Sequence, residues 1–176
     1  ETAEKLGVSR ATLYRTLPTK KELLGVLFER STRELTEQAE AVLTEHNDAH
    51  ERLHELIRLQ VDAAIRMRHY LPVFFGGSML PRDVVDRWHV WSKQFEQMWV
   101  RVVREAMDEG YLIEADPVVT ARLLLGQCNW VSRWYRPAEK YDAKIIADAV
   151  INLLPPPPGK RKAKTRRSSR SKRESA

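Results

Sequence analysis

Cysteine is almost absent: Cys128 is the only one in 176 residues. A single thiol excludes any internal disulfide and fits a chain that folds in a reducing cytosol. Glycine is scarce too, at seven, and no stretch alternates apolar and polar residues in the way a strand requires. No signal-peptide pattern appears, and no uninterrupted apolar run approaches the roughly 20 residues of a membrane span. What the chain does have is apolar spacing at the helical period, over and over, and 43% hydrophobic residues, enough for one compact core. These features predict an all-α, cytoplasmic protein with no membrane partner.

The formal net charge of +6 is unevenly placed. Residues 155–176, PPPPGKRKAKTRRSSRSKRESA, hold nine Lys/Arg and one Glu, or +8; the rest holds 21 basic and 23 acidic residues, or −2. The tail has no apolar residue larger than Ala after its prolines, so disorder is expected there. It reads equally as a nonspecific phosphate-binding arm and as a solvated extension. Gly159-Lys160 is no phosphate-binding loop, because the Gly-rich stretch and the Ser/Thr positions are missing.

Five longer helices follow from the spacing. The first covers about 20–44, with Leu23, Leu24, Leu27, Phe28, Leu35 and Ala39 on one face. His46-Asn47-Asp48 breaks it. The second runs over about 49–67, with Leu53, Leu56, Ile57, Val61 and Ala64 in line. Leu71-Pro72, Gly76-Gly77 and Pro81 mark an irregular region. A third helix spans about 82–109 and ends at Gly110. A fourth starts at Asp116-Pro117, an N-cap followed by a first-turn proline, and stops near Tyr135. The last covers about 142–154.

Residues 7–24, GVSRATLYRTLPTKKELL, carry the most specific signal. Gly7 permits a sharp turn, Ser9 is a good N-cap, and Leu17-Pro18 halts the short helix that follows. Thr19 and Glu22 have the spacing of a capping box at the start of the next helix. A short basic helix after a tight turn is the shape that enters a DNA major groove. Arg10, Thr12, Arg15 and Thr16 suit bases or phosphates; Ser9, Tyr14, Lys20 and Lys21 suit phosphates.

His50-Glu51-Arg52-Leu53-His54 spells H-E-x-x-H, which on a helix places two imidazoles on one face beside a potential general base. Read literally it means a metal-dependent hydrolase. It sits at a helix start beside a polar break, though, and residues 70–75, YLPVFF, hold no acidic third ligand. The expectation is therefore a solvated helix N-terminus, with no metal, no cofactor and no catalytic residues.

Residues 126–137, GQCNWVSRWYRP, are the second informative segment. Trp130 and Trp134 share a helix face, with Arg133 and Arg136 close by. Cations at a helix C-terminus are favoured by its dipole, and the tryptophans suit a dimer core. The same set also suits a ligand with an apolar body and an anionic head.

The order G-V-S-x-x-T-L-Y-x-x-x-P-x-K-x-x-L-L resembles the helix-turn-helix of the TetR family. Residues 73–81, VFFGGSMLP, and the segment at 126–137 resemble the ligand domain of a subgroup that controls fatty-acid, steroid and aromatic-acid catabolism. Thr16, Leu17 and the run Ala138-Glu139-Lys140-Tyr141 depart from the family pattern. The resemblance implies a TetR-like architecture: the C-terminal part of a helix-turn-helix domain at 1–25, its first half being absent from this chain; a helical-bundle ligand-binding and dimerisation domain at 26–154; and the basic tail at 155–176. It implies a repressor that binds double-stranded operator DNA as a homodimer, through the helices at about 117–136 and 142–154, and answers to an acyl-CoA or related hydrophobic acid. By that analogy Trp130, Arg133 and Arg136 meet the CoA or carboxylate end. Phe74, Phe75, Phe95, Met98 and Trp99 form the apolar wall. A structural helical module with a nucleic-acid-binding tail is the competing non-enzymatic reading.

Overall fold

The computed structural model describes residues 20–71, 75 and 81–154, with side chains from Glu22 onward. The proposed DNA contacts Ser9, Arg10, Thr12, Tyr14, Arg15 and Thr16, the side chains of Lys20 and Lys21, the wall candidate Phe74 and the basic tail lie outside the described residues.

Five α-helices and no strand occur among the described residues: α1 (Lys20–Glu45), α2 (Ala49–Arg66), α3 (Arg82–Asp108), α4 (Pro117–Trp134) and α5 (Ala143–Asn152). The boundaries fall within two residues of those expected, because each end carries a local signal. Asp48 accepts from the Glu51 N–H at 3.0 Å and so caps α2. Asp116 accepts from the N–H groups of Val118 and Val119 at 2.8 and 2.9 Å, with Pro117 in the first turn of α4. Asp142 caps α5 through the Ile145 N–H at 2.8 Å. Gly110 closes α3 at φ 71°. Beyond it the Tyr111 N–H reaches the Ala106 carbonyl at 2.8 Å and the Gly110 N–H reaches Met107 at 2.9 Å. That paired closure satisfies two end carbonyls and needs a left-handed residue, which glycine supplies without a Cβ clash.

Helix α2 is the axis of the bundle and packs against all four others. Its buried side chains include Leu53, Leu56, Ile57, Val61 and Ala64, a broad apolar face that one neighbour could not cover. They join Trp99, Val103 and Ala106 of α3, Leu124, Cys128 and Val131 of α4, and Ile146 and Val150 of α5 in one core. Burial pushes the Cys128 thiol up to about 12, so it stays a neutral packing group.

Polar clasps tie the helices at the edge of this core. Arg52 of α2 donates to Glu105 of α3 at 2.6 Å, and Arg58 donates to Asp148 of α5 at 3.3 Å. The Tyr111 hydroxyl donates to Asp48 at 2.9 Å, joining the end of α3 to the start of α2. Among the described residues no helix is long and apolar enough to cross a membrane.

Candidate functional site

Helices α1, α2, α3 and α4 do not close completely on one another. Between them lies a cavity of about 870 Å³, within the range typical of small-molecule sites. Its wall is mostly apolar and aromatic: Leu35 from α1, Met67 and Leu71 after α2, Trp88, Trp91 and Phe95 from α3, and Val118 and Leu125 from α4, with Phe75 beside them. Aromatic packing builds one side. Trp91 stacks on Phe95 with ring centres 5.1 Å apart, and Phe75 meets Trp88 edge-on at 5.8 Å. Trp91 also reaches α1: its indole N–H donates to the Thr36 hydroxyl at 3.0 Å, and its ring meets Phe28 edge-on. The cavity wall and α1 are thus mechanically joined. A further link runs from Tyr70, whose hydroxyl lies 2.9 Å from that of Ser31, and Arg87 of α3 pairs with Glu29 of α1.

The polar groups of the cavity are sorted by depth. Lys93, Glu96, Arg101 and Arg122 line it, and none of them is buried. Arg122 holds Glu96 in a two-pronged pair at 2.9 and 3.0 Å. Deeper, Gln60 of α2 donates to the Asn129 side-chain carbonyl of α4 at 2.8 Å. Gln60 is only 4% exposed, and its Oε1 has no hydrogen-bond partner. The Trp99 indole N–H is also unpaired, but it lies in the closed core.

The structure distributes the ligand candidates over three places. Phe75 and Phe95 face the cavity. Met98 and Trp99 are buried in the core and do not appear on the cavity wall. Arg133 and Arg136 line a separate recess of about 450 Å³, together with Arg68, His69, Ser132 and Tyr135. Among the described residues no carboxylate lines that recess. Arg68 stands over the Tyr135 ring, 5.9 Å from its centre, and Arg136 donates to the carbonyl of Tyr135 at 3.1 Å. The ends of α2 and α4 meet here, and two helix C-termini offset only about one unit of positive charge between them. Trp130 is on neither wall: it is 64% exposed on the outer face of α4.

Sequence reasoning missed Gln60 and Asn129 as a pair. A signal was present, because Gln60 interrupts the apolar stripe Leu53, Leu56, Ile57, Val61, Ala64 at a core-facing position. Asn129 gave none, since its partner lies 69 residues away.

The histidines of H-E-x-x-H stack. The His50 and His54 rings are centred 3.9 Å apart, and His50 also meets Tyr111 at 4.9 Å. Burial, then the charge of His50, holds the His54 imidazole below its usual range. Among the described residues no three His, Cys, Asp or Glu side chains converge as a metal site.

Residues 46–155 match the family model described as the tetracyclin repressor-like C-terminal domain. The nucleoid occlusion factor SlmA of Vibrio atlanticus (strain LGP32) is 27% identical over 156 residues, which are 86% of this chain and 80% of that protein. The fold is similar to that of AibR in complex with isovaleryl coenzyme A and operator DNA, with a TM-score of 0.70 and 21% identity over 88% of this chain and 85% of that one. It is also similar to the ketosteroid transcriptional regulator KstR2 of Mycobacterium tuberculosis, with a TM-score of 0.71 and 20% identity over 86% of this chain and 81% of that one. At these identities the two structures speak to the fold alone.

Proposed function

Since the chain belongs to the TetR family of transcriptional regulators, we propose that it is a cytoplasmic, homodimeric repressor released from operator DNA by an acyl-CoA or related hydrophobic effector. The observation that carries this reading is the 870 Å³ aromatic-walled cavity whose Trp91 is hydrogen-bonded to α1. Helix α1 runs from the DNA-reading end of the chain into the bundle. A ligand that displaces Trp91 or Leu35 tilts it, and the two reading heads of a dimer then lose their spacing of roughly 34–36 Å. The switch works only to the extent that the effector binds one tilt better than the other.

In this reading Arg10, Thr12, Arg15 and Thr16 meet bases or phosphates, and Ser9, Tyr14, Lys20 and Lys21 meet phosphates. Phe75 and Phe95, with Phe74, hold the apolar body of the effector. Met98 and Trp99 back that wall from the core. Arg133 and Arg136, joined by Arg68, offer charge to phosphates or a carboxylate, whereas Trp130, exposed outside that recess, falls to the dimer face. The dimer forms on the outer face of α4, where Val119, Leu123, Trp130 and Trp134 are exposed, and on Ile145 and Leu153 of α5.

Thermal unfolding against acyl-CoA thioesters, the matching free acids and free CoA tests this. The expected result is a concentration-dependent rise in Tm with thioesters, weakened in Arg133→Ala and Arg136→Ala. No rise with any thioester sinks the acyl-CoA assignment.

A further inference from the structure

We propose that Gln60 is the specificity-determining residue of the cavity, and that the effector carries a neutral hydrogen-bond donor, a hydroxyl or amide N–H, on its buried part. The proposal rests on the cavity being the effector site.

Gln60 sits where the fold asks for an apolar side chain. Its neighbours on the same face of α2, Ile57, Val61 and Ala64, are fully buried. One amide hydrogen goes to Asn129, while Oε1 is left without a donor. An unmet buried acceptor is destabilising, whereas replacing both members of a buried pair by apolar groups is close to neutral. Packing alone therefore does not account for Gln60. Native interiors pair nearly all such groups, and Gln60 lies on the wall of the cavity.

The chemistry of the missing donor follows from the surroundings. Every charged side chain on the cavity wall stays at least partly in solvent, and the carboxylate among them, Glu96, is already held by Arg122. Among the described residues no carboxylate stands at depth to receive an ammonium, so the donor is uncharged. Oε1 is buried as it stands; the final torsion of a glutamine is broad and roughly two-fold, so a turn of the amide that releases Asn129 presents Oε1 to a ligand.

The test uses displacement of anilinonaphthalene sulfonate from the whole chain by decanoic acid and by a series of hydroxydecanoic acids with the hydroxyl moved one carbon at a time. The expected result is that one isomer displaces the dye at a concentration about tenfold lower than decanoic acid does. In Gln60→Met that preference vanishes and decanoic acid binds at least as well as before. Asn129→Leu, which keeps Gln60, retains the preference; loss there puts recognition on Asn129 and overturns the assignment. Circular dichroism checks that both variants are folded. If all the acids displace the dye equally, the role of Gln60 is overturned while the cavity reading stands. If the dye is bound but none of them displaces it, the cavity reading fails first and this proposal with it.

Discussion

Helices α2 and α4 are the same length, yet they solve opposite problems. Helix α2 is apolar inward and charged outward. Its outer side carries Glu51, Glu55, Arg58, Asp62 and Arg66, several of them paired along the helix or with α5. Helix α4 is apolar on both sides. Its inner face uses medium or small residues, Ala121, Leu124, Cys128 and Val131, all buried. Its outer face carries Leu123, Trp130 and Trp134 in solvent. A helix with a second apolar face is one that expects that face to be covered. The difference teaches that α2 is finished by its neighbours in the bundle, whereas the outer face of α4 is covered by no described residue and is the face the proposed dimer would bury.

The sharpest way to break that comparison is at two adjacent leucines. Leu124 is 4% exposed and Leu123 is 65% exposed. Leu124→Ala is expected to cost about 2–5 kcal/mol of stability through cavity creation. Leu123→Ala is expected to change monomer stability by no more than about 0.5 kcal/mol while weakening self-association. Urea titrations at low and high protein concentration separate the two effects; equal losses would remove the distinction between the faces.

Next in size is Trp130→Asp. A tryptophan hot spot at the centre of an interface contributes about 2 kcal/mol or more, so the dissociation constant of the proposed dimer should rise at least about thirtyfold. Sedimentation velocity reads this directly. An unchanged dimer would mean that the outer face of α4 is covered by something else.

Helix α2 makes a smaller prediction through its cap. Asp48→Ala removes an N-cap and the acceptor of the Tyr111 hydroxyl together. The expected result is a lower urea midpoint than that of the unsubstituted chain, with m-value unchanged. The Asp48 carboxyl is held below its usual range, first by the Glu51 N–H and then by Tyr111, so acidification toward its folded-state value should mimic the variant in part.

The smallest effect concerns His54. Burial and His50 lower its pKa in the folded state from 6.5, with Arg58, Glu55 and Asp148 facing it as well. The unfolded chain then binds the proton more readily, so stability is full above the unfolded value and falls as pH drops below it. A lower Tm at about pH 5.5 than at about pH 7.5 is expected, and His54→Gln should flatten that slope.

The ends of the helices were legible in the sequence because capping is local. Asp116-Pro117, the break at His46-Asn47-Asp48 and Gly110 each act on groups within a few residues, and each marks an observed terminus. The all-α class was legible for the same reason, since a 3.6-residue period needs no knowledge of what lies opposite. The site was legible only in part. Periodicity puts Phe95, Met98 and Trp99 on the apolar side of α3 without saying that Phe95 meets the cavity while Trp99 fills the core.

Sequence alone thus determined where helices begin and stop, which residues must leave water and which family pattern the chain carries. Tertiary structure decided which apolar side chains face the core, the cavity or an open surface, and it brought Gln60 to Asn129 and Arg68 to Arg133. The physical reason is range. Backbone hydrogen bonds and caps close over three or four residues, whereas a cavity wall is assembled from four helices whose relative placement no single stretch of chain encodes.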